Sequence, residues 1–76
     1  MITKYKGWTI DVKRDMAMGG WESVYYHAIR DSDGWIPIDG FTSGAEKVRD
    51  VVRQVEDMID DPEFMDELSK EDGYTL

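Results

Sequence analysis

The chain contains no cysteine and a single histidine. That excludes a disulfide framework, a thiolate zinc site, a thiol nucleophile and a multi-histidine metal centre. Proline occurs twice, and no apolar run approaches the ~20 residues that a membrane-crossing helix requires. Bases are scarce, with nine Lys or Arg against 17 Asp or Glu and a formal charge of −8. A nucleic-acid binder normally shows a basic stripe, so this balance argues against direct contact with DNA or RNA. The opening MITKYKGWTID lacks the apolar segment of a signal peptide. Together with the missing cysteine, it predicts a cytoplasmic location.

What is present is enough for one small folded domain, 1–76, with 41% apolar residues and nine aromatics (three Trp, four Tyr, two Phe). A chain of this size buries only ~60–65% of the surface its unfolded form exposes. With no covalent or metal staple, the core alone must stabilise it, and large rings supply ~150–250 Å² each.

Apolar Trp8, Ile10 and Val12 alternate with Thr9, Asp11 and Lys13, which predicts a half-buried strand over 5–14. Gly19-Gly20 marks a turn. A second strand follows over 21–30, with Val24, Tyr26 and Ala28 on one face and Trp21, Ser23, Tyr25, His27 and Ile29 on the other. Asp31-Ser32-Asp33-Gly34 has the chemistry of a hairpin turn. A third strand over 35–39 carries Ile36 and Ile38 on one face, and Pro37 assigns it to an edge.

Ser43 and Glu46 have capping-box spacing. Val48, Val51, Val52, Val55, Met58 and Ile59 then recur at three- and four-residue steps, the clearest helix signal in the chain. Asp61-Pro62 stops that helix and opens a shorter one, with Asp61 as N-cap and Pro62 as first helical residue. Phe64, Met65 and Leu68 give it an apolar stripe, and Gly73 a stop. The expected fold is α+β, a three-stranded antiparallel meander packed on one long helix and followed by a short acidic second helix (β-β-β-α-α).

A hairpin, an edge strand, then Gly40, Thr42 and Glu46 leading into a long helix resembles the small ββ(β)α domains of HicB-like antitoxins, over roughly residues 5–59. The resemblance implies a module that binds a partner protein. It carries over no site residue, and the DNA-binding segment common in that family has no counterpart here.

No catalytic constellation stands out. Ser23 and His27 share a strand face but lie ~13 Å apart along an extended chain, beyond hydrogen-bonding reach. Asp11 can sit beside His27 on the neighbouring strand, and a surface histidine beside an acid is the plainer reading. Residues 31–34 with Asp39 lack the glycine and glutamate positions of a calcium loop. No cofactor, metal site or catalytic residue is expected.

Two surfaces are candidates for a partner. Residues 60–72 hold Asp60, Asp61, Glu63, Asp66, Glu67, Glu71 and Asp72 against Lys70, so −6 of the total charge is concentrated there. A solvated helix with acids in its first turn explains this blandly. The functional alternative is an acidic face that imitates a phosphate backbone and occupies a basic groove. Small phage-borne inhibitors, including some anti-CRISPR proteins, look similar in size and charge. The second surface is the far sheet face, with Trp21, Tyr25, His27, Ile29 and Trp35. Either the second helix folds over it, or it stays open as an interface.

The function expected is therefore a small acidic protein-binding module, not an enzyme, that blocks a basic or nucleic-acid-binding partner. Its partner-binding residues are Trp21, Tyr25, His27, Trp35, Asp60, Asp61, Glu63, Asp66 and Glu67. The alternatives are a ligand binder with an aromatic pocket at a homodimer interface, or an accessory subunit of a larger assembly.

Overall fold

The computed structural model describes residues 1–16 and 22–73, with side chains as far as residue 70. The expected turn at Gly19-Gly20 and the candidate residue Trp21 lie outside the described residues.

The element order is β1 (Ile2–Tyr5), β2 (Trp8–Met16), β3 (Glu22–Arg30), β4 (Ile38–Ser43), α1 (Val48–Asp60) and α2 (Pro62–Gly73). The fold is α+β, but the three-stranded expectation is overturned. The sheet has four strands in the order β1-β2-β3-β4, each antiparallel to its neighbour. Nor is there a long helix followed by a short one, since α1 has 13 residues and α2 has 12.

The missed strand is β1. Its hairpin with β2 closes through Lys6 (φ 49°) and Gly7 (φ 83°), with Tyr5 opposite Trp8. Two consecutive positive φ angles define a type I′ turn, whose twist matches that of the flanking strands. Glycine adopts such a φ without penalty, whereas Lys6 does so at some steric cost. The alternation of Trp8, Ile10 and Val12 held, and it begins after the turn, with all three side chains buried.

The edge strand also starts later than Pro37 suggested. Residues 31–37 form the connection. Arg30 binds Asp33 through Nε (3.0 Å) and Nη2 (2.5 Å), and Gly34 N–H donates to the Arg30 carbonyl at 2.7 Å. Arg30 N–H donates to the Trp35 carbonyl at 2.8 Å, after which Pro37, having no N–H, precedes the ladder and does not join it. β4 then pairs with β3 from Ala28↔Ile38 to Ser23↔Ser43. Ile38 is buried as expected, whereas Ile36 is 49% exposed.

The expected capping box does not form. Ser43 belongs to β4, its Oγ accepts a hydrogen bond from Ala45 N–H at 3.2 Å, and Glu46 N–H donates to its carbonyl at 3.0 Å. The helix begins only at Val48, after Lys47, with no side-chain cap. Sheet pairing of Ser43 with Ser23 outcompetes the local helix signal. The second helix entry is as expected, because Asp61 Oδ1 accepts from Glu63 N–H (3.1 Å) and Phe64 N–H (3.3 Å), with Pro62 at the first helical position.

One core holds these layers together. Trp8, Ile10, Val12, Val24, Ala28 and Ile38 from the sheet meet Val51, Val52 and Val55 from α1. α1 lies over β2 and β3, and α2 packs on α1. Phe64, Met65 and Leu68 of α2 close the margin of the same core. Both helices therefore occupy one side of the sheet.

Candidate functional site

Strand alternation and register define the sheet face that the helices leave open. One row across the strands is Ile2, Asp11, His27 and Asp39, and the next is Lys13, Tyr25 and Phe41. Lys4, Thr9 and Ile29 form a further row. The second helix does not fold over this face; it packs on α1 on the opposite side.

At the centre, His27 Nε2 lies 3.8 Å from Asp11 Oδ2, the cross-strand neighbour that the alternation allowed. Asp39 is the register partner of His27 on its other side. Tyr25 packs on Phe41 with ring centroids 5.8 Å apart, and Phe41 is 68% exposed. Toward β1, Thr9 Oγ1 donates to Asp31 Oδ1 at 2.6 Å and accepts from Lys4 Nζ at 2.6 Å. The face thus mixes two lysines with Asp11, Asp15 and Asp39, and it carries no continuous charge of either sign.

Of the residues expected here, Tyr25 and His27 are on the open face and half-buried. Trp35 is not. It leaves the sheet before β4, tilts against Trp8 at 6.2 Å on the core side, and receives the Arg30 guanidinium over its ring at 4.6 Å. Burial against Trp8 draws it inward, so an aromatic pocket combining Trp35 with Tyr25 does not assemble. Phe41 and Ile2 are the exposed apolar residues that sequence reasoning missed. Continuing the alternation of Ile38, Gly40 and Thr42 past Pro37 is the signal that reveals Phe41. Gly40 fits because a Cβ there would stand 3.0 Å from the Tyr26 hydroxyl, whose ring lies across it.

The acidic helices present a second surface, and the structure divides its residues by role. Asp60 is held by two partners, accepting from the Tyr5 hydroxyl and from Lys6 Nζ at 2.8 Å. The Lys6 ammonium and the Tyr5 hydroxyl keep its carboxyl below the ordinary aspartate range. In return, Asp60 raises the pKa of both Lys6 and Tyr5. This cluster fastens the β1–β2 turn to the end of α1. Asp61 is the α2 cap. Asp66 makes an exposed pair with Lys70 at 3.2 Å, and Glu63 and Glu67 are exposed. Glu63, Asp66 and Glu67 are thus displayed, whereas Asp60 and Asp61 serve the fold. The two candidate surfaces lie on opposite sides of the molecule.

Among the described residues, no group of three or more His, Asp or Glu is placed to hold a metal ion, and no helix is long and apolar enough to cross a membrane. No protein-family model, curated protein or solved structure matches this chain.

Proposed function

We propose that this chain is a small, acidic, non-enzymatic binding module that presents its helical layer to a basic protein surface. The supporting observation is the separation of charge by layer. Residues 1–47 hold seven acids and six bases, and residues 48–76 hold ten acids and three bases, so the net charge divides as −1 and −7. Both helices lie on one side of the sheet, and the field they produce is one-sided. Such a field steers a positively charged partner and aligns it before contact. A binder of this kind can compete with a phosphate backbone for a basic groove, and a phage- or plasmid-type inhibitor is its most concrete form.

The test separates the helix face from net charge. A variant carrying Glu63→Lys, Asp66→Lys and Glu67→Lys is compared with one carrying Asp15→Lys, Glu22→Lys and Asp31→Lys, which has the same total charge. Immobilised chains are challenged with source lysate across a salt series, and the retained proteins are identified by mass. One basic protein retained by the parent at low salt, kept by the sheet-layer variant and lost by the helix variant, supports the reading. Equal losses for both variants refute it, because bulk charge alone would then govern retention.

A further inference from the structure

β4 is the last strand of the sheet, and none of the described residues pairs with its outer side. Among the described residues, no backbone hydrogen bond outside the β3 ladder uses residues 38–42. Exposed edges are usually blunted by brevity, lysine, proline or a bulge. The opposite edge has such features, because β1 is four residues long and carries Lys4, with Lys6 just beyond it. β4 has six residues, pairs with β3 without a bulge, and contains neither Lys nor Pro. Its one ionisable side chain is Asp39, and its exposed large apolar one is Phe41, at 68%.

We propose that β4 pairs antiparallel with β4 of a second copy about a two-fold axis at Phe41, giving one continuous eight-stranded sheet. The register follows from symmetry and chemistry. Symmetric pairing must centre near the middle of 38–43 to use the strand fully, which leaves Gly40 or Phe41. A Gly40 centre sets each Asp39 carboxylate against a Phe41 ring. A Phe41 centre sets each Asp39 opposite a Ser43 hydroxyl, a donor facing an acceptor, and brings the two Phe41 rings together. Moving the centre to Asp39 opposes two like charges, which is destabilising. With Phe41 at the centre, the rings of Tyr25 and Phe41 from both copies form one apolar band across the open face.

Charge permits this partner. The sheet layer is close to neutral, and α1, with four acids against two bases, lies over β2 and β3, away from the edge. At ~4.8 Å per strand, edge pairing leaves the two copies of α1 about 19 Å apart. That is more than twice the ~8 Å screening length at physiological salt. A face-to-face dimer through the helices would bring the two acidic layers together. The proposal is independent of the basic-partner reading, since it concerns the opposite layer.

The absence of cysteine makes the register directly testable. Sedimentation equilibrium of the full chain should show a concentration-dependent dimer, abolished by Phe41→Asp. Three single-cysteine chains, Phe41→Cys, Asp39→Cys and Ile2→Cys, are then oxidised under identical conditions. Only a cysteine at the axis faces its own copy, because disulfides do not span Cα separations above ~7 Å. Phe41→Cys should cross-link at least tenfold faster than the other two. A parent chain that stays monomeric up to ~1 mM, the weak end of useful affinity, overturns the proposal and leaves the edge to a different chain or to none. Comparable cross-linking at all three positions overturns it equally, because the contact would then lack this register.

Discussion

Val55 is fully buried on the sheet-facing side of α1, whereas Phe41, a larger residue, is 68% exposed on the opposite side of the sheet. Truncating each to alanine therefore tests the order of the layers. Val55→Ala removes two buried carbons, worth ~0.8 kcal/mol each in transfer alone, and the unfilled cavity adds to this for a total of about 2–3 kcal/mol. A chain of this length is expected to have only about 4–11 kcal/mol of stability, so the loss is a large share of it. At 4–8 °C per kcal/mol, the melting temperature should fall by roughly 10–20 °C. Phe41→Ala forfeits mainly the contact with Tyr25 and should cost less than about 1 kcal/mol. Urea unfolding followed by circular dichroism at low micromolar chain concentration measures both, and an unchanged denaturant slope shows that the end states are the same. If Phe41→Ala proved as costly as Val55→Ala, something in the monomer would have to cover the open face, and the placement of both helices on one side would be wrong.

Asp61→Ala should remove the α2 cap at a cost of about 1 kcal/mol, with a loss of helical signal in the same unfolding experiment. Gly44→Ala should destabilise more than Gly40→Ala: a Cβ at Gly44 would stand 2.4 Å from the Glu22 backbone carbonyl, whereas at Gly40 it meets only the movable end of Tyr26. Over-packing of this kind typically costs ~1–3 kcal/mol, read as a shift in denaturation midpoint. Asp33 is held at about 2, chiefly by Arg30 and secondarily by the Trp35 backbone N–H, against an ordinary value of 3.8. Because the folded value is depressed, its contribution is full above about pH 4 and disappears as the pH falls toward 2. Melts of the parent and of Asp33→Asn across that range should therefore converge in acid, and a constant gap between them would show that Asp33 does not titrate in this way.

Much of the helical layer was legible in the sequence because its signals are local. The spacing of Val48, Val51, Val52 and Val55 specifies a buried stripe, and Asp61-Pro62 specifies a cap, whatever surrounds them. The sheet was legible only in part. Alternation identifies β2 and the faces of β3, but a Lys-Gly turn does not advertise itself as a hairpin, so a strand read over 5–14 runs through the turn and leaves residues 2–4 outside the sheet. Ser43 and Glu46 have the spacing of a capping box, yet the partnership of Ser43 with Ser23, twenty positions away, kept it in a strand.

The candidate surfaces divided along the same line. Composition alone concentrated negative charge toward the C-terminal end and excluded thiol and multi-histidine chemistry. Tertiary packing decided which acids are displayed: Asp60 is taken by Tyr5 and Lys6 from a distant turn, while Glu63 and Glu67 remain exposed. It also exchanged Trp35 for Phe41 on the outer face, because Trp35 gains more burial against Trp8 than an edge position offers. Local periodicity, capping chemistry and charge count were properties of the sequence by itself. Strand number, the side on which α2 rests and the membership of each surface depended on contacts between distant segments, which no local pattern encodes.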